Sequence, residues 1–453
     1  MSTTISQRAA MDSAIRHLVS KYSPLGDRIG YLMLASILVE AWDMYSIGFV
    51  LIFIRDQYHP DPLLLGLAAA ATQAGAMIGS VAGGWLADKL GRRVMFLTTM
   101  AMFIVLALAQ AFVTGVLMLA FVRLFLGIPL GSDPTTGFSY IMEVMPKKRR
   151  ELLGTRWQFV WAAGSMLSVG VVALFLAFGI EHEVMWRTIL GLGAIPAVII
   201  LLMRRKLPET AAWLVRQGRF REAKQVSLRM YNDPLDMLPD ADVEVAKPRP
   251  IMFLTELRRD PIRWRATIYG WISGFVATAQ FQTFGFYMPV LFTMVGVSSL
   301  LGTDFLLVFL YAIAALGGWM SPWLATKVGH RGIGLIGFGI VFVCLLVAAG
   351  ALYAGAVSIL PFAAAVMMWG QYVSVSNCMT VSTVVAKPEY RGMAGGFSYM
   401  FVKLAAFLAI FLFPAVVAAC GQAGSTLLVS LFALIGLLSA QFILPEVYGY
   451  DQD

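Results

Sequence analysis

Charge is scarce in this sequence. Asp, Glu, Lys and Arg together make up 13% of the 453 residues, against 59% for hydrophobic ones, and the mean hydropathy is +0.76. A soluble globular chain carries roughly a quarter charged residues, so that class is excluded and a polytopic membrane protein is expected. Cysteine and histidine are rare as well. Cys344, Cys378 and Cys420 are scattered through apolar stretches without paired spacing, and no histidine relay is visible, so neither a metal site nor a disulfide framework is expected. There is no GxxxxGK[ST] loop, no HExxH and no Ser, His and Asp set that would converge in a bilayer. An ATP-driven pump, an intramembrane hydrolase and a bound cofactor are therefore not expected. The polar stretch 1–28 lacks a short apolar run followed by a cleavage site, which argues against a removed signal peptide.

What is present is apolar and long. Segments able to cross a bilayer fall near 29–54, 64–87, 94–113, 115–140, 155–178, 186–203, 266–293, 302–326, 331–352, 355–385, 391–418 and 423–445. The expected fold is all-α, with twelve transmembrane helices in two pseudo-symmetric six-helix bundles. The expected organisation is a tail over 1–28, bundles over 29–203 and 266–445, a linker over 204–265 and a tail over 446–453. With the N-terminus in the cytoplasm, all but four of the 34 Lys and Arg residues lie on the cytoplasmic side; the exceptions are Arg55, Arg123, Arg187 and Lys403. The positive-inside rule then places both termini in the cytoplasm. The linker should include an amphipathic helix on the membrane surface, with Trp213, Leu214 and Phe220 toward the lipid.

The two halves share a design. GGWLADKLGRR follows the second segment and GGWMSPWLATKVGHRG follows the eighth, each ending in a basic turn. Glu143 to Arg150 follows the fourth segment, and Val384 to Arg391 holds the equivalent place after the tenth. Asp88 with Arg92 and Arg93, and Glu143 with Arg150, should form charge clusters on the cytoplasmic face that hold one conformation shut.

At this point the residues resemble the major facilitator superfamily. Gly84, Asp88, Gly91, Arg92 and Arg93 are similar to its loop signature after the second helix. Arg123, Gly127 and Gly131 resemble its RxxxGxxxG pattern, and Leu207 to Leu214 resembles the PESPRWL segment of the sugar-porter-like branch. Asp43, Tyr45 and Ser46 are similar to the DxYD pattern of phosphate and organic-acid proton symporters, with Ser46 in place of the second acid. Asp133 and Pro134 resemble the GGDYP of phosphate symporters, and Arg391 to Ala405 resembles their RG...GKxGA run. The resemblance implies the major facilitator fold and alternating-access transport. It also implies that Gln158 contacts substrate. The helix-seven signature of sugar porters is only hinted at by Gln280, Gln282 and Tyr287.

Ionisable residues inside a bilayer are functional candidates by default. Here they are Glu40, Asp43, Arg123, Asp133 and Lys403. Glu40 and Asp43 are three apart and share a helix face; as neighbouring like charges, one should protonate readily, as proton coupling requires. Asp133, near mid-membrane, is expected opposite Asp43 and across a cavity from Lys403, where Pro134 loosens the helix. Lys403 either binds a substrate anion or forms a fixed salt bridge between halves. Arg123 either packs helices or exchanges a proton with Asp43. Tyr45, Gln158, Trp161, Gln282, Tyr287, Gln371 and Asn377 are the candidate polar and aromatic lining. The function expected is proton-coupled symport of a small anionic metabolite such as phosphate or an organic carboxylate, by a monomer in the cell (plasma) inner membrane. Its partners are the substrate, protons and lipid, not nucleic acid. A sugar or polyol carrier, an efflux antiporter and a receptor on a carrier fold remain alternatives.

Overall fold

The computed structural model describes residues 5–23, 25–245, 252–294 and 300–450, and among these every regular element is helical. The first six spans are Gly26–Tyr58, Pro62–Leu90, Arg92–Ala111, Val116–Val144, Trp157–Ala177 and a sixth broken into His182–Leu192 and Ala194–Arg204. The seventh is Pro261–Met294. The eighth and ninth form one helical stretch, Leu300–Ala354, that folds back at Gly329 (φ 71°, ψ 178°). The tenth is Leu360–Val375 continued by Asn377–Val385, and Arg391–Phe442 folds back at Gly421 (φ 68°) into the eleventh and twelfth. Twelve spans therefore lie among the described residues, close to the twelve apolar segments of the sequence.

Backbone contact sets the packing of the first bundle. A Cβ on Gly127 would lie 2.1 Å from the Thr72 carbonyl oxygen, and one on Gly131 would lie 2.0 Å from that of Ala76. Only glycine lets the second and fourth spans approach so closely, which is the small-residue packing of membrane helices.

The linker departs from expectation. Its apolar residues do not face lipid. Trp213, Leu214 and Phe220, on the short helices Ala211–Arg216 and Phe220–Tyr231, pack against Met11, Ala14, Ile15 and Leu18 of an N-terminal helix, Ile5–Ser20. The Trp213 indole donates to the Asp88 carbonyl (3.0 Å). An apolar face is buried against whatever apolar partner is nearest, and here that partner is the chain's own N-terminal segment.

Both fold-back turns of the linker face are built alike. Gly91 (φ 105°) opens the third span, and the Glu209 carboxylate accepts from the Arg92 and Arg93 amides (3.1 and 3.0 Å). Gly329 opens the ninth, and the Glu446 carboxylate accepts from the His330 and Arg331 amides (3.0 and 3.1 Å). A carboxylate there satisfies the free amides and the positive end of the helix dipole.

Candidate functional site

A cavity lies between the two halves. Met44, Gln73, Trp157, Gln158 and Trp161 line it from the first half, and Phe281, Gln282, Gln371, Tyr372, Tyr399 and Lys403 from the second. About 40 Å³ is open to water, room for only a few molecules. On the linker face the halves meet closely. A Cβ on Gly84 would lie 2.2 Å from the Gly392 carbonyl, the Asp88 carboxylate accepts from the Met393 amide (3.2 Å), and the Arg391 guanidinium donates to the Met142 carbonyl (3.1 Å). The Thr380 hydroxyl donates to the Gly154 carbonyl (2.7 Å).

Three buried ion pairs involve the acids expected at the site, and they differ from the arrangement expected. Lys403 on the eleventh span is paired with Glu40 on the first, so this bridge crosses between the halves. The Tyr399 hydroxyl donates to the other Glu40 oxygen (2.5 Å), and the ammonium lies 4.7 Å from the Tyr399 ring centre and 5.6 Å from that of Trp161. Cation–π contact of this kind steadies a cation out of water. Asp43 has a different partner. The Arg123 guanidinium reaches it at 3.2 Å, the Gln110 amide donates to it (3.2 Å), and Arg123 also donates to the Gln110 oxygen (2.8 Å) and the Ala68 carbonyl (3.2 Å). Glu40 and Asp43 therefore do not form a like-charge pair, since each turns to a separate cation.

Asp133 does not face Lys403. The Arg204 guanidinium donates to both its oxygens at 2.8 Å, the Thr99 hydroxyl adds a third bond (2.8 Å), and Asp133 is absent from the cavity wall. The reason is that the sixth span runs to Arg204, a residue the sequence assigns to the linker. That arginine reaches back to the Met33 carbonyl (2.9 Å) and the Ser36 hydroxyl (3.0 Å) as well. A guanidinium with all its donors satisfied can sit in the interior where a single charge could not.

Of the expected lining, Gln158, Trp161, Gln282, Gln371 and Lys403 are on the wall. Tyr45 packs edge-on against Tyr311 with ring centres 5.1 Å apart, and Asn377 is bonded to His330 (2.8 Å); neither is on the wall. The side chains of Tyr287 and Arg150 lie outside the described residues. Glu143, expected against Arg150, is instead held by Arg92 (3.0 Å), Arg216 and the Thr210 hydroxyl (2.5 Å). Arg92 also bridges to Asp88 (2.6 Å), and the Arg93 guanidinium donates to the Arg205 carbonyl (3.2 Å).

Sequence reasoning missed Gln73, Tyr399, Arg204, Glu209 and Glu446. A signal existed for three of them. Tyr399 is four residues before Lys403 and so on its helix face, and Leu-Pro-Glu recurs at 207–209 and 444–446.

The family model described as "Sugar (and other) transporter" matches residues 31–451. The inner membrane metabolite transport protein YgcS of Escherichia coli is 27% identical over 420 residues, covering 92% of this chain and 91% of that protein. The probable metabolite transport protein CsbC of Bacillus subtilis is 28% identical over 436 residues, with 91% and 90% covered. Among solved structures, the major facilitator superfamily proton:xylose symporter XylE superposes with a TM-score of 0.74 at 18% identity, covering 94% of this chain and 98% of that one. A partially occluded inward-open form of XylE gives 0.76 at 16% identity, with 95% and 100% covered. That level of identity speaks for the fold and not the substrate. A match over nearly the whole chain, on twelve spans in two bundles with a cavity between them, settles the family: this chain belongs to the sugar (and other) transporters, membrane carriers of the major facilitator fold.

Proposed function

We propose that the chain is a proton-coupled carrier that imports a small anionic metabolite by alternating access, with the linker face toward the cytoplasm of a bacterial inner membrane. The observation that supports this reading is Lys403. It is the one cation among the described residues on the cavity wall, and it reaches there from the half opposite its counter-ion. A lysine in a membrane interior is costly to keep, and a cavity wall is where its charge can serve an incoming anion. The buried acids of the first half, Glu40, Asp43 and Asp133, supply candidate proton sites. The cluster of Asp88, Arg92, Glu143 and Arg216 would act as the cytoplasmic gate.

The test is uptake by proteoliposomes across a panel of phosphate, carboxylates and sugars, with imposed pH gradients. Acid outside should drive accumulation of an anion, and an uncoupler should abolish it. Lys403→Gln should reduce anion uptake by roughly tenfold or more, the loss of a charged hydrogen bond. Uptake indifferent to the gradient would end the proton-coupled reading.

A second reading, carriage of a neutral sugar or polyol, is favoured by the glutamines on the wall and by the name of the family model. Under that reading Gln158 and Gln282 carry the binding and Lys403→Gln leaves sugar uptake near normal.

A further inference from the structure

Of Glu40, Asp43 and Asp133, two are already neutralised within their own half. Asp43 holds the Arg123 guanidinium and Asp133 holds that of Arg204, and an arginine stays charged at any physiological pH. Neither acid touches the cavity. Glu40 is different. Its counter-ion is a lysine, that lysine belongs to the other half, and its ammonium forms part of the cavity wall while Glu40 sits one layer behind it.

From this arrangement we propose that Glu40 takes up the proton that accompanies substrate, and that the substrate is a polyhydroxylated monocarboxylate, a sugar acid. The proposal rests on the reading of Lys403 as the anion ligand. The argument is one of charge counting. Lys403 neutralises one carboxylate, and Glu40 already supplies it. A substrate carboxylate docking on the cavity side of the same ammonium leaves two negative charges on one cation, in a cavity with room for only a few water molecules to screen them. A proton moving from solution onto the Glu40 carboxylate, giving the neutral acid, restores the balance. The Tyr399 hydroxyl now donates to Glu40 at 2.5 Å; by rotating, it can accept from the protonated acid instead.

The other charged groups facing this part of the first span are already paired. From the fourth and sixth spans Asp133 and Arg204 are spent on each other, and Asp43 on the same helix is held by Arg123. From the fifth span Trp157, Gln158 and Trp161 carry no charge. From the eleventh, only Lys403 and Tyr399 contact the carboxylate.

The rest of the wall indicates what the carboxylate is attached to. Gln73, Gln158 and Gln282 offer amide donors and acceptors suited to hydroxyl groups. The Gln73 oxygen is buried on the cavity wall and has no hydrogen-bond partner among the described residues, which leaves an acceptor for a ligand hydroxyl. The indoles of Trp157 and Trp161 supply an apolar surface for the C–H face of a polyol chain. An inorganic anion uses the lysine but not this surface.

The experiment uses purified full-length protein in detergent, weakly buffered at neutral pH with an indicator dye. Gluconate, glucose and inorganic phosphate are the probes. Wild type should take up about one proton per gluconate bound and bind gluconate at least roughly tenfold more tightly than glucose. Glu40→Gln should bind gluconate with no proton uptake. Because that change leaves Lys403 without a counter-charge, Glu40→Asp is run beside it and should restore uptake. Gluconate binding without proton uptake by wild type, or equal uptake by Glu40→Gln, overturns the proposal. Lys403-dependent binding of phosphate but not gluconate also overturns it while sparing the anion-carrier reading. Tight glucose binding that ignores Lys403→Gln removes both.

Discussion

The two halves carry the same turn on the linker face but fill it with different chemistry. Aligned on Gly91 and Gly329, Asp88 matches Thr326, Arg92 matches His330 and Arg93 matches Arg331. In the first half Arg92 ties together two acids, Asp88 and Glu143, and Asp88 passes the contact on to Met393 of the second half. In the second half His330 meets the neutral Asn377 (2.8 Å), whose amide donates back to the His330 carbonyl (2.6 Å). The frame is thus held by backbone and carboxylate in both repeats, while among the described residues the Asp88–Arg92–Glu143 latch belongs to the first. An ionic cluster at the seam between halves can be made and broken as they part; the His330–Asn377 contact lies inside one half and stays as it is.

The sharpest way to break this comparison is to remove the two central residues. Arg92→Ala removes the cation bridged to Asp88 and leaves Glu143 with Arg216 and the Thr210 hydroxyl. It should cost about 3 kcal/mol or more and cut transport at least tenfold, read as the melting temperature in detergent and as proteoliposome uptake. His330→Ala should cost about 1–2 kcal/mol, the price of a buried hydrogen bond, with transport largely kept. Equal losses would mean that the asymmetry has no mechanical meaning.

The carboxylates shared by the repeats sharpen it from the other side. Glu209→Gln and Glu446→Gln should each lower stability by about 1 kcal/mol, and by similar amounts, because each accepts from the first two amides of a span at nearly the same distances and from amides next to itself as well, Thr210 for Glu209 and Val447 and Tyr448 for Glu446. A large excess for Glu209 would show that it also belongs to the latch.

The smallest effect concerns the linker cap, which packs beside the first half. Burial alone would raise the Asp233 carboxyl, but hydrogen bonds from Lys21, the Leu235 amide and His17 outweigh it and bring the group down to about 2 from its ordinary 3.8. A carboxyl lowered on folding contributes fully above its unfolded value and is lost as the pH falls through about 2. Proteolysis of the N-terminal helix should therefore be unchanged between about pH 8 and pH 5. Asp233→Asn should speed it modestly at neutral pH, by a factor consistent with under about 1 kcal/mol.

How far these features could be read from sequence depended on their range. Hydropathy marks spans because burial in lipid is a property of each segment alone, and the GGW...G turns are visible because a repeat preserves local chemistry. Ion-pair partners are a different matter. Asp133 meets Arg204 71 positions away, and Lys403 meets Glu40 363 positions away. Which acid meets which base is set by helix rotation and by where a span ends. An end placed one residue short, at 203 instead of Arg204, was enough to give Asp133 the wrong partner. The linker helix was misjudged for a related reason, since amphipathicity shows that a face is buried but not by what.

The repeated Glu caps have a consequence for how the protein is made. Glu209 follows Arg92 by 117 positions, and Glu446 follows His330 by 116. Each is translated after the last span of its own bundle. The first bundle therefore has its Glu209 cap once residue 209 has left the ribosome, while the second waits for residue 446. A nascent chain stalled shortly beyond 209 should already hold a protease-resistant first bundle, whereas one released before 446 should hold a second bundle whose eighth-to-ninth turn is open. Assembly in the membrane would then proceed in two closures, each triggered by a single late carboxylate.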